Sequence, residues 1–395
     1  MIQCEFDRRR FLQWTGASVA AAMTTQLSFE SLANAASRSP LPAKTPILVL
    51  VTLYGGNDGL NTVVPYTDPV YRSVRANIAL NSSQVLPFSP TMGFNASMPM
   101  IRDLFGRRQV AVVQGVSYPD PNLSHFASMA IWQSASLTGE PTGWIGRWLD
   151  QQPHSPFNAI AVGSTLPPAF VGQQTVASMV DVGGMQLPWG PVATVLPRLG
   201  GRAATDGTLE AAAAGSIADL YATAQRVGPH IPKSRSGSWI NQQLSLVSAL
   251  INANVPTRVW EVNVASFDTH TGEVGDQNSL LSDVDTAIGA FMKKISAGDR
   301  ANDVTVMIYS EFGRRVASNA SQGTDHGTAA PVFLIGNRVK GGLYGEQPPL
   351  KHLDPNGNLK VTTDFRSVYG GVLHDVLGTP VGDIIPGWKS ALSVH

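Results

Sequence analysis

The stretch ILVLVTLYGGND, residues 47–58, runs through seven almost wholly aliphatic residues and then breaks on Gly55, Gly56, Asn57 and Asp58. An apolar run without polar alternation suits a strand covered on both faces, as in a parallel sheet flanked by helices. The same form recurs at 109–116, 158–163, 258–266, 303–310 and 330–336. Between these runs, helical periodicity marks 124–136, 207–227, 241–255, 278–295 and 364–378. Strands alternating with helices predict an α/β fold around a mostly parallel sheet. Residues 164–206, rich in Gly, Pro and Ala and poor in charge, read as an insertion or cap over one edge.

Composition narrows the function classes. Of 395 residues only 14% are charged, and 28 Lys and Arg balance 28 Asp and Glu. Neither a basic nucleic-acid binder nor an acidic solvating tail fits that balance. The N-terminus reads as an address: Arg8, Arg9 and Arg10 precede Phe11 and Leu12, a mildly apolar stretch follows, and Ala33-Asn34-Ala35 suits signal peptidase. It resembles a twin-arginine export signal occupying residues 1–35, followed by a linker at 36–45 and one domain over 46–395. Export would involve the twin-arginine translocation machinery and place the chain in the periplasm or outside the cell. No later stretch approaches the roughly 20 apolar residues of a transmembrane helix, so no membrane association is expected after cleavage. The single cysteine, Cys4, lies within the signal. The mature chain therefore has no thiolate to offer a metal, and any ion must be held by His, carboxylate, amide or hydroxyl groups.

In open parallel sheets, ligands sit outside the carboxyl ends of the strands. Asp58 follows the first run; Asp268 and His270 follow the run at 258–266; Glu311 follows the run at 303–310; Asp325 and His326 precede the run at 330–336. Carboxylates gathered at one rim repel each other, and the usual resolutions are raised pKa values or a bound cation. Mixed His and carboxylate ligation suits Zn, Mn or Fe better than Mg or Ca. Ser124, where a helix begins after the run at 109–116, has the setting of an activated nucleophile, with His125 beside it. Arg314 has the chemistry to grip a substrate anion bidentately, and Asp325 to orient His326.

Together LYGGNDGLN (53–61), LSHFASMAIWQ (123–133), FDTHTGE (267–273), YSEFGRR (309–315), TDHGTAAPVFLIG (324–336) and DFRSVYGGVLHDVLG (364–378) resemble the exported bacterial family known as domain of unknown function 1501. That family is placed in the alkaline phosphatase and sulfatase superfamily. The resemblance implies an alkaline-phosphatase-like three-layer sandwich with a mostly parallel central sheet. It also implies a site in which Asp58, Asp268, His270, Glu311 and His326 hold one or two divalent ions from among Zn, Mn, Fe and Ca. Ser124 falls at the nucleophile's place. Phe312 stands where a ligand histidine is expected, which leaves one ion short unless His125, Asn57 or Asn61 substitutes. No Ser or Cys stands in the pattern that formylglycine sulfatases need. The expected activity is hydrolysis of phosphate-type or related esters on a small or polymeric anionic substrate. The alternatives are a secreted binding or assembly protein on the same fold, and a metal-dependent transferase or mutase acting on an anionic sugar.

Overall fold

A computed structural model of the chain describes residues 29–182 and 237–395. In chain order its strands are β1 (Ile47–Leu53), β2 (Val63–Val64), β3 (Val85–Pro87), β4 (Gly93–Asn95), β5 (Val110–Ser117), β6 (Ala159–Val162), β7 (Ser178–Val180), β8 (Val259–Val264), β9 (Val304–Ser310), β10 (Ala330–Ile335), β11 (Gly342–Tyr344) and β12 (Thr363–Asp364). β2, β4 and β3 form a small antiparallel sheet. The others build one large sheet in the order β11-β5-β10-β9-β1-β8-β6-β7, with β12 also pairing with β5. The six strands expected from the sequence are all present.

β1 explains the layering. All seven of its residues are buried. Ile47, Val49, Val51 and Leu53 enter one core, with the helices Pro99–Gly106, Trp239–Asn252 and Glu273–Ser296, while Leu48 and Leu50 enter another, with the helices His125–Ser134, Trp144–Asp150 and Phe365–Val372. Because successive strand residues point to opposite faces, a strand sandwiched between two helix layers is apolar at most positions on both faces. The result is the expected three-layer sandwich.

One strand departs from parallel order, and it is the one that completes the site. β10 runs antiparallel to both β5 and β9, whereas β8 and β9 are parallel to β1. Its amino end therefore lies at the rim where the parallel strands have their carboxyl ends. In a fully parallel sheet, the loop carrying Asp325 and His326 would have reached the opposite rim.

Residues 1–28 of the expected signal lie outside the described residues. The cleavage box falls in the helix Phe29–Arg38, whose Leu32 and Ala35 are buried. Of the expected cap, residues 164–182 contribute a short turn at Pro168–Phe170 and the edge strand β7, which extends the sheet beside β6. Residues 183–206, and the helix expected at 207–227, lie outside the described residues. No helix among the described residues is long and apolar enough to cross a membrane.

A buried acid sits inside this frame. Glu261 of β8 stands opposite Leu50 and Ala161, and burial pushes its carboxyl up to about 8. The folded chain thus keeps a proton that the unfolded chain releases near its ordinary value of 4.5. This contribution to stability is complete below that value and is lost as pH rises through about 8. Glu261→Gln is expected to reduce the fall in urea-unfolding free energy between pH 5 and pH 9. An unchanged fall would show that Glu261 is ionised in the fold.

Candidate metal site

Three loops at the carboxyl rim bring His125, Asp268, His270 and His326 together. His125 opens the helix His125–Ser134 after β5, Asp268 and His270 follow β8, and His326 precedes β10. Asp268 is the hub. Its Oδ1 lies 3.0 Å from His270 Nε2 and 3.2 Å from His326 Nε2, and its Oδ2 lies 3.4 Å from His125 Nε2. His270 Nε2 and His326 Nε2 are 3.0 Å apart. Among the described residues, the ligand-type atoms of His125, Asp268 and His326 all lie within 4.8 Å of one another.

The far sides of the His125 and His326 rings are held by acceptors. His125 Nδ1 donates to Glu311 Oε1 at 2.8 Å, and His326 Nδ1 donates to the Leu123 carbonyl at 2.7 Å. His270 Nδ1 lies 3.6 Å from Asp325 Oδ1. A carbonyl can only accept, so neutral His326 must carry its proton on Nδ1 and present a lone pair at Nε2, toward a carboxylate. Burial lowers the pKa of His326, which favours that neutral form. His125 Nε2 is buried without a hydrogen-bond partner, while the bond from Glu311 raises this ring's pKa.

These features fit a divalent cation. A tetrahedral ion with bonds of about 2.0–2.1 Å spaces its ligand atoms by roughly 3.3 Å, close to the separations seen here. Rings backed at Nδ1 by a carboxylate or carbonyl are the usual posture of metal-ligating histidines. His125, Asp268 and His326 could therefore hold one ion, and His270 Nε2 stands beside Asp268 and His326 as a further donor.

Glu311 belongs to the site from behind. It is buried, accepts from Gly55 N at 2.9 Å as well as from His125, and has Ser310 Oγ 3.0 Å from its second oxygen. The sequence reading made it a direct ligand; the structure makes it the group that aims His125. Phe312, the apparent gap in the ligand set, is a wall. Its ring centroid lies 4.8 Å from that of His125 and 4.9 Å from that of His326. Gly55 lets the loops close at this point: its φ is +116°, and a Cβ there would lie 2.5 Å from Asp268 N.

Arg314 has a different task from the one expected. It is buried, donating through Nε to Gly56 O at 2.6 Å and through its terminal nitrogens to the carbonyls of Gly55, Phe267 and Thr324 and to Asp268 Oδ1. With its donors engaged in tying together the loops that carry Gly55, Phe267 and Thr324, no fork remains to grip a substrate anion. Partial burial would raise the pKa of Asp268, but Arg314 outweighs it and holds the carboxyl at about 2. The hub stays anionic at any ordinary pH.

Asp58 does not join the cluster. It is fully buried in a two-pronged ion pair with Arg75, and Oδ1 also accepts from Leu60 N. Burial acts to raise its pKa, and the guanidinium outweighs this and lowers it. An internal cation thus answers the charge that the sequence reading assigned to a metal. Glu273, which the sequence reading passed over, lies beside this pair. Burial and the charge on Asp58 push it up to about 9, and it accepts from Asn61 at 3.3 Å and from Thr324 Oγ1. Asn61 is further engaged with Tyr71, and Asn57 with Thr62, so neither fills the ligand gap. Asp325 was expected to orient His326 but faces His270. Ser124 is exposed at the helix N-cap, and its side chain makes no capping bond.

The class defined by these features is a three-layer α/β protein with a His and Asp cluster at the carboxyl rim of its sheet. Residues 201–363 match the model of the family described as a protein of unknown function, DUF1501, which bears out the resemblance read from the motifs. No curated protein matches the chain. Among solved structures, the chain is similar to a protein in the alkaline phosphatase superfamily from Vibrio parahaemolyticus, with 9% identity and a TM-score of 0.40 over 94% of this chain and 76% of that one. It is also similar to the phosphoglycerol transferase GacH of Streptococcus pyogenes, with 9% identity and a TM-score of 0.39 over 98% and 88% of the two chains. A third is the murine ectonucleotide pyrophosphatase/phosphodiesterase 5, with 9% identity and a TM-score of 0.37 over 84% and 95%.

Proposed function

We propose that the protein is an exported, metal-dependent hydrolase of phosphate-type or related esters, holding one divalent ion on His125, Asp268, His270 and His326. The observation that carries this reading is the convergence of the histidine Nε2 atoms on one anionic carboxylate, with acceptors behind the His125 and His326 rings. The ion would supply Lewis acidity at the scissile ester and make hydroxide available near neutral pH. Glu311 fixes the plane of the His125 ring, the Leu123 carbonyl fixes the tautomer of His326, and Arg314 keeps Asp268 ionised and in place. Ser124 Oγ, not engaged in capping, is the proposed nucleophile; its place at the amino end of the helix His125–Ser134 would favour the negative charge that develops. Asp58 is committed to Arg75, so one ion is expected rather than two. Export by the twin-arginine route, with cleavage after Ala35, completes the proposal.

The experiment is hydrolysis of p-nitrophenyl phosphate, bis(p-nitrophenyl) phosphate and p-nitrophenyl acetate by chelator-stripped chain before and after metal is restored. Turnover that returns with the metal is expected; none under either condition would remove the hydrolase reading. Ser124→Ala is expected to leave metal content unchanged and to reduce turnover to background. Full activity in that variant would take the serine out of the mechanism and leave attack to water.

A further inference from the structure

Beside the cluster lies a cavity of about 780 Å³, within the range of pockets that enclose small organic ligands. His125, Asp268 and Glu311 line one part of it, so it is continuous with the candidate metal site. Phe126, Met129, Ala130, Leu166, Pro167 and Pro168 supply apolar lining. Tyr54, Gln133, Thr165, Asn263 and Ser266 supply neutral polar groups, but among the described residues no lysine or arginine reaches it. Arg314, the cation nearest in the chain to Glu311, is buried in its own bonds to the loops.

A cavity with carboxylates at one part, apolar side chains around it and no lysine or arginine among its described lining is unsuited to a nucleotide or a phosphorylated sugar. Each further anionic group placed there would meet two carboxylates and no lysine or arginine of the described lining to offset its desolvation. Hydrocarbon has no such penalty, and it gains from every apolar area covered. We propose that this cavity receives an uncharged hydrocarbon group of the substrate, aryl or alkyl, attached to the ester that reacts at the cluster. The protein thereby selects amphiphilic esters over polyanionic ones. This deepens the hydrolase reading and rests on it for the identity of the reacting group.

The test uses binding, so that it stands apart from turnover. The neutral fluorophore N-phenyl-1-naphthylamine is titrated into the metal-loaded full chain and displaced by n-alkyl alcohols or by AMP. Saturable binding is expected, with alcohols gaining about three- to fourfold in affinity per added methylene and AMP displacing nothing at matched concentration. Ala130→Glu, which places a charge on the helix lining the cavity, is expected to weaken probe binding at least tenfold. Phe126→Ala alters an exposed ring and leaves the core untouched, and it is expected to weaken binding severalfold. Probe binding that neither substitution changes, or displacement by AMP as effective as by octanol, would overturn the proposal. Failure of the hydrolase reading would show separately, as absent p-nitrophenyl ester turnover in a chain that still binds the probe.

Discussion

Asp268→Ala is expected to lose its metal and all metal-dependent turnover while remaining folded. Asp268 is the one residue that touches all three histidines, and without it their Nε2 atoms converge on no anion. Loss of a partner that only orients a ligand already costs about 10–100-fold in metal affinity. Loss of the hub carboxylate is expected to exceed that. The fold should survive because Arg314 keeps its bonds to the carbonyls of Gly55, Gly56, Phe267 and Thr324. Metal titration with a competing fluorescent chelator, alongside urea unfolding, separates the two effects. An affinity within threefold of the parent chain would show that the cluster is not where metal binds.

Arg75→Met carries the largest expected cost in stability. Arg75 and Asp58 are both completely buried, and the guanidinium donates to both oxygens of the carboxylate and to the backbone carbonyls of Arg315 and Val316. Removing one partner of such a pair leaves an uncompensated charge, which costs about 3–5 kcal/mol. Here the remaining charge would also face Glu273, already forced toward its neutral form. The double substitution Arg75→Met with Asp58→Asn is expected to recover a large part of the loss, since asparagine keeps the cap on Leu60 N without the charge. Urea midpoints of the parent, both single variants and the double variant give the coupling. A loss under about 1 kcal/mol in Arg75→Met would mean that Asp58 is neutral or otherwise satisfied.

The sequence carried the sandwich because burial on both faces leaves an unmistakable trace: β1, β5, β9 and β10 are apolar at nearly every position. It carried the identity of the rim residues for the same reason, since charge is sparse and stands out where an apolar run ends. It did not carry direction. Nothing in APVFLIG says that β10 runs antiparallel, yet that reversal is what brings His326 to Asp268. Nor did it carry partnership between side chains. Asp58 and Glu311 look alike in sequence, each a carboxylate just past a strand, but one is answered by Arg75 from 17 residues away and the other backs His125. The signals for Arg75 and Glu273 were weak. An arginine at the end of the helix before Asn77 and a glutamate at a helix start both resemble ordinary surface residues until burial is known. Arg314 was identified as important for a charge it does carry, but that charge is turned inward.

The decisive measurement is elemental analysis of the full chain, purified after native export without chelator. One divalent metal per chain, absent in Asp268→Ala and retained in Ser124→Ala, is the expected result. A chain that purifies without metal and takes none up on titration would rule out the cluster as a metal site, and with it the hydrolase proposed here.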